Sequence, residues 1–201
     1  MQEDIAQSVA ASLKVTLLGG KASSARGTNE EAYNAYLQGR YFYGRRSKEN
    51  LEKAIGYYEQ AIKLDPSYAP TCAGLGFAHC EQADFGYLPV EEGYGKARAA
   101  VQRALALDAN LPEAHAAMGW IHMAYDWDWM GADASFQRAL ALEPGNATVV
   151  YGAAVLAIGL GRLDEAMALD RRAAALDPLN TQTQVTLAVT AYYAGRRFRF
   201  R

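Results

Sequence analysis

Four side chains near the middle of this chain have types and spacing that could hold a metal ion. Cys72 and His79 lie seven residues apart, as do His115 and His122. Seven residues is close to two helical turns, so each pair shares one helix face. On two adjacent helices the four would converge as a Cys-His-His-His set of the kind that binds zinc. The equivalent places elsewhere in the chain carry groups such as Tyr33 and Leu187, and a packing role outweighs the metal one. The expectation is no metal and no other cofactor. "LLGGKAS" has a Gly-Gly-Lys but lacks the spaced first glycine and the preceding strand of a phosphate loop. No nucleophile elbow or pair of catalytic carboxylates is present, so no enzyme is expected. In "DWDW" the expectation is that Trp127 and Trp129 anchor a turn and that Asp126 or Asp128 caps the next helix. Contact with a partner is the other use of that run.

With no chemistry to position, the elements themselves carry the information. The chain has 201 residues, 51% of them apolar, and a formal net charge of −2. This is the composition of a globular helical protein, and it gives no reason to expect nucleic acid or an acidic membrane as partner. The basic end "GRRFRFR" reads as solvated. No signal peptide opens the chain, and no apolar run approaches the roughly 20 residues that span a bilayer. Cys72 and Cys80, eight apart on one expected helix, sit about 12 Å from each other, too far for a disulfide. The chain reads as cytoplasmic.

One phrase is written four times: "EQAIKLDPSY", "QRALALDANL", "QRALALEPGN" and "RRAAALDPLN". The acids that close it, Asp65, Asp108, Glu143 and Asp177, are 43, 35 and 34 residues apart. Two intervals match a helix-turn-helix repeat of about 34 residues. The longer one is expected to hold a loop at Asp84–Leu88 and then a helix two turns longer than its counterparts. Pro89 suits its first position, and Gly93 and Gly95 weaken it by up to roughly 1 kcal/mol each. Each second helix carries alanines seven apart: Ala54 and Ala61, Ala97 and Ala104, Ala132 and Ala139, Ala166 and Ala173. Small groups on one face permit close helix approach. Tyr58, Val101 and Phe136 sit between them as the larger filling groups.

This pattern resembles the tetratricopeptide repeat. Gly39, Gly76, Gly119 and Ala154 match its small residue in the first helix, and Pro66, Pro144 and Pro178 its closing proline. Ala109 replaces one proline, and Asp170 stands where an apolar group belongs, an exception accommodated if it turns outward. The resemblance implies an all-α, right-handed α-solenoid of about four and a half units, at 30–66, 67–109, 110–144, 145–178 and a half unit at 179–201.

Before the array, Ile5, Val9, Leu13 and Leu17 make an amphipathic helix over 1–18, followed by a linker over 19–29. "QEDIAQSVAASL", "EAYNAYLQGRYFY" and "YDWDWMGADASFQRALALEP" resemble bacterial signalling proteins in which a tetratricopeptide tail follows a TolB-like domain. That resemblance implies a regulatory or interaction tail.

In tetratricopeptide arrays the first helices line a concave groove. Carried onto this chain, the facing stripe is Tyr33, Tyr36, Arg40 and Tyr43, then Ala73, Phe77, Cys80 and Glu81, then Ala116, Trp120 and Met123. The fourth unit gives Tyr151, Val155 and Ile158, and the half unit Val185, Val189, Tyr192 and Tyr193. The stripe is aromatic and apolar, without the lysine and asparagine set that clamps a C-terminal carboxylate. It fits a non-catalytic module that binds an apolar or amphipathic helix or peptide of another protein. The chain's own residues 5–17 are a candidate internal occupant. Strong curvature would instead bury part of the stripe as core. The alternative function is self-assembly through the N-terminal helix or the C-terminal half unit.

Overall fold

The computed structural model describes residues 29–199. The helix and linker expected over 1–18 and 19–29 lie outside the described residues, apart from Asn29. Among the described residues there are nine α-helices and no strand: α1 Glu30–Tyr43, α2 Lys48–Leu64, α3 Ala69–Asp84, α4 Val90–Leu107, α5 Pro112–Ile121, α6 Trp129–Leu142, α7 Ala147–Gly159, α8 Leu163–Leu176 and α9 Thr181–Arg199. A π-helical turn, His122–Asp126, extends α5. None of these helices is long and apolar enough to cross a membrane.

Side-chain caps start several of the helices, and a proline in the first turn marks α3 and α5. Asn29, Ser47, Asp128 and Asn146 each accept a hydrogen bond from a backbone N–H of the following first turn. Helices pair as hairpins, α1 with α2 through α7 with α8, and each second helix also touches the first helix of the next unit. First helices α1, α3, α5, α7 and α9 touch one another in sequence, forming the inner layer of an α-solenoid. No single hairpin buries its apolar face alone; the stack does.

The stack is registered by one large side chain per second helix. Tyr58, Val101 and Phe136 are at most 1% exposed, and all eight paired alanines around them are fully buried. Each large group sits over a missing one. A Cβ on Gly39 would come 2.5 Å from the Tyr58 ring, on Gly76 2.5 Å from Val101, and on Gly119 2.8 Å from Phe136. The next unit also yields room: Gly74 lies against Tyr58 and Gly152 against Phe136. In the fourth unit it is therefore Gly152 that meets the preceding plug, while Ala154 holds the expected small position.

Asp170 takes the fourth place in this series and does not turn outward. It is fully buried, and Thr190 of α9, also fully buried, donates a 2.6 Å hydrogen bond to its Oδ2. The expectation of an outward-turned acid fails because α9 supplies a hydroxyl where the other units supply a cleft for a ring. Burial still raises the Asp170 carboxyl above its ordinary range, with the Thr190 bond pulling the other way.

Two more expectations are corrected in the longer unit. The helix α4 has 18 residues, against 17 for α2 and 14 for α6 and α8, so it is about one turn longer than the later pair and not two turns longer than all. Pro89 is its N-cap rather than its first residue. Gly93 is not a weak point: it is buried, and a Cβ there would come 2.8 Å from Ala83 and 3.2 Å from the His79 carbonyl. Gly95 has nothing within 4 Å.

Gly119→Ala forces a methyl into the Phe136 ring and is expected to cost ~1–3 kcal/mol in urea unfolding. Gly95→Ala, with open space and a better helix former, is expected to stabilise by ~0.5–1 kcal/mol. Equal responses at the two sites would refute the plug arrangement. A carboxyl whose folded pKa is raised stabilises fully only below its unfolded pKa, about 4, and loses that contribution as pH rises through the folded value. Asp170→Asn should therefore raise the unfolding midpoint at neutral pH by roughly 2–4 °C, with the gain shrinking to nothing as the solution is acidified. A gain that persists in acid would contradict the burial of a charge at this position.

Candidate functional site

The inner layer closes around a cleft of about 250 Å³ that all five first helices help to line. Tyr43 comes from the end of α1, Phe77, Cys80 and Glu81 from α3, Trp120 from α5, Tyr151 from α7 and Gln182 from α9. It adjoins a second, more polar hollow of about 590 Å³, which shares Tyr43, Arg46, Thr148, Tyr151 and Gln182 and adds Asp177, Leu179 and Asn180. The array is thus curved enough for the turn after α1 to share two hollows with the start of α9.

Six residues of the expected stripe meet here: Tyr43, Phe77, Cys80, Glu81, Trp120 and Tyr151. The others lie elsewhere. Tyr36 packs edge-on against Tyr68 at 5.3 Å and tilts against Tyr58, with Tyr33 on the far side of the same cluster. The Arg40 guanidinium stands 5.9 Å from the Tyr36 ring. Ala73, Ala116 and Met123 are core. Val155 is half-buried against the main core, and Ile158 is half-buried too. Val185, Val189, Tyr192 and Tyr193 are exposed on α9, outside the cleft. Curvature therefore buries part of the stripe, as the alternative reading of it anticipated.

The polar groups of the cleft form one network around Glu81. Its Oε1 accepts from the Tyr43 hydroxyl at 2.8 Å and pairs with the Arg46 guanidinium at 3.2 Å. Its Oε2 is buried with no hydrogen-bond partner among the described residues, and so is Gln182 Oε1. Burial pushes the Glu81 carboxyl up, while Arg46 and then Tyr43 oppose the shift. Tyr43 itself is pushed well up, first by burial and then by the Glu81 charge. Asp84, at the same rim, accepts a 2.5 Å bond from Tyr94. Arg46 holds its place with φ 49°, the left-handed region. Trp127, Gly86 and Gly161 occupy the same region in the other hairpin turns. Two of these turns use glycine, so Arg46 and Trp127 carry a backbone cost of about 1–2 kcal/mol that glycine avoids.

Sequence reasoning did not place Arg46, Asp84, Phe85, Thr148 or Gln182 in the cleft, because all of them stand at helix ends or in turns. It also passed over an arginine within the repeated phrase. Arg103 donates to the Pro66 carbonyl at 3.1 Å, Arg138 to Asn110 at 2.6 Å, and Arg172 to the Pro144 carbonyl. The second helices α4, α6 and α8 thus each grip the closing turn of the unit before. The signal was present: the first copy of the phrase has Gln60 at this position, and no earlier closing turn is described for it to grip.

The histidines are engaged separately. His79 bonds Gln82 at 3.0 Å, His115 the Ala109 carbonyl at 2.9 Å, and His122 Asp126 at 3.0 Å. Among the described residues no three of His, Cys, Asp and Glu come together as a metal cluster. In "DWDW", Asp128 caps α6 and Asp126 pairs with Arg98 at 2.6 Å. Trp129 packs on the core and against Gly159, but Trp127 is 71% exposed and anchors nothing beyond an edge contact with Trp129.

Family models described as "Tetratricopeptide repeat" match residues 45–68 and 128–186. Tetratricopeptide repeats are thus found over these two stretches. A transcriptional regulator, HilA of Salmonella typhimurium, is 26% identical over 162 residues, 80% of this chain and 29% of that protein. HilA of Salmonella typhi matches to the same extent. The chain thus spans less than a third of the length of these curated relatives. Among solved structures, Pseudomonas aeruginosa pilF superposes with a TM-score of 0.58 at 17% identity, over 85% of this chain and 72% of that one. A thermophilic tetratricopeptide protein of Thermus thermophilus gives 0.55 at 20% identity, over 80% and 99%. These likenesses show the fold: an all-helical tetratricopeptide array.

Proposed function

We propose that this array is a non-catalytic protein-interaction module that binds an apolar or amphipathic helix or peptide across its concave face. The observation that carries the reading is the cleft itself. Phe77, Trp120 and Tyr151, from three successive units, wall one recess on the inner face, and Tyr43 closes it from a fourth. Large aromatic groups convergent in a recess are the anchor type of interfaces, since they bury much apolar area at little entropic cost. The likeness to a transcriptional regulator supports placing such a module in a regulatory protein. The resemblance to tetratricopeptide tails behind TolB-like domains supports the same setting.

A second reading is favoured by α9, where Val185 and Tyr192 are each more than half exposed, beside Val189 and Tyr193. An apolar face of that kind is a self-assembly surface between copies. Light scattering over a wide concentration range should report an oligomer if this face is covered by a second chain, and a strict monomer rejects it.

For the groove, amphipathic helical peptides selected against the full chain from a display library are the probe. Tyr151→Ala should weaken selected peptides by ~10-fold or more, with helicity by circular dichroism unchanged. Met130→Ala, at an exposed outer position, should leave them unaffected. Peptides that bind Tyr151→Ala as well as the parent chain would reject the groove.

A further inference from the structure

We infer that the cleft is a receptor for one basic side chain, a lysine or arginine carried on the apolar face of the bound peptide, its cationic end donating to Glu81 and Gln182. This rests on the groove reading above and specifies what the groove selects.

The volume sets the scale. Ligand pockets for whole small molecules run from about 300 to 1,000 Å³. At about 250 Å³ this recess accommodates one long side chain, while a helix backbone must stay above it on the concave face.

Hydrogen bonding sets the polarity. The Tyr43 hydroxyl and one edge of the Arg46 guanidinium go to Glu81 Oε1. The buried polar atoms of the lining left without a partner are acceptors. Glu81 Oε2 and Gln182 Oε1 are both buried and unpartnered among the described residues, and both residues line this one cleft. A buried acceptor without a donor costs about 1–3 kcal/mol. An N–H donor entering the recess would satisfy both of these atoms.

Charge agrees. The lining carries two carboxylates, Glu81 and Asp84, against one cation, Arg46, and Asp177 adds a third acid in the adjoining hollow. The Glu81 side chain is 12% exposed, so its charge is held at low dielectric, where an incoming cation is worth far more than at the surface. Burial raises the Glu81 carboxyl, and a second cation beside it would oppose that shift as Arg46 does. A peptide carboxylate would meet the like charge of Glu81 and Asp84. The walls complete the fit: Phe77, Trp120 and Tyr151 give an aliphatic stem apolar surface, and aromatic faces attract the cation they flank. Lysine and arginine have that construction: an apolar stem with a donor-only end.

The test uses the full chain and a helical peptide library with the central position of the apolar face randomised. The best binder is then synthesised with lysine and with norleucine there, and both are titrated by fluorescence anisotropy. Selection should enrich lysine and arginine at that position, and the lysine peptide should bind at least ~10-fold tighter than norleucine. Glu81→Gln, close to isosteric, should erase that difference without weakening the norleucine peptide; Gln182→Met gives an independent, smaller loss of the same kind. Circular dichroism of each variant fixes that it is folded. Binders that need Tyr151 but show no basic preference, or keep it on Glu81→Gln, overturn this inference alone. Binders indifferent to Tyr151 overturn the groove reading as well. Peptide binding that emerges only on Lys14→Ala assigns the cleft to the chain's own residues 5–17. An oligomer that dissociates on Glu81→Gln assigns it to a second copy. Either result overturns a partner peptide as the occupant.

Discussion

The fit of one large side chain against a missing one holds this array together. Tyr58, Val101 and Phe136 each project from a second helix onto a glycine of the partner first helix, and Tyr58 and Phe136 touch a glycine of the next unit as well. The contact fixes three quantities at once: how closely the two helices of a unit approach, how far the next unit is rotated, and the axial register between them. Packed interiors leave no slack for a methyl group at such a point. Because the rotation repeats from unit to unit, small local angles add up over the stack. Their sum brings Arg46, in the turn after α1, and Gln182, at the start of α9, to the same hollow although 136 positions separate them in sequence.

The last step of the stack uses different chemistry. Where a ring or a valine is due, Asp170 is buried and bonded to Thr190, while its Oδ1 has no partner among the described residues. An apolar plug stabilises by area and is indifferent to pH; a buried carboxyl is held by one hydrogen bond against a desolvation cost. The strength of the α8–α9 junction therefore depends on protonation. The same α9 contributes Gln182 to the cleft and presents Val185 and Tyr193 outward. Stability at the end of the stack and completeness of the cleft are thus coupled through a single helix.

Much of this architecture was legible from spacing. The intervals of 43, 35 and 34 residues, the alanine pairs and the glycines at 39, 76 and 119 all express local geometry repeated in register. The same logic failed at Asp170, because residue type alone cannot say whether a neighbour supplies a hydroxyl. It failed at Gly93, where helix propensity was outweighed by the approach of Ala83. It read the groove only in part. Tyr43, Phe77, Trp120 and Tyr151 follow from helix phase, whereas the burial of Met123 and the arrival of Arg46 and Gln182 follow from curvature. Curvature is a sum over all interfaces and has no signature at any one residue. Trp127 departs from expectation for a related reason: a tryptophan in a turn is expected to anchor it, but this backbone occupies the left-handed position and the ring is sent outward.

The distinction between repeated and unrepeated residues carries the functional argument. Groups that recur, the alanines, the plugs and the arginines at 103, 138 and 172, serve contacts that recur. A repeated contact can build a surface but cannot distinguish one end of a bound peptide from the other. Selectivity requires groups that occur once and face inward. Glu81, Arg46 and Gln182 meet that condition. The equivalent of Glu81 four residues beyond Phe77 is Ala124 beyond Trp120 and Gly159 beyond Val155. Glu81, buried among aromatic walls with Asp84 beside it, breaks the symmetry of the array at one point, as a groove that reads one register of a peptide would require.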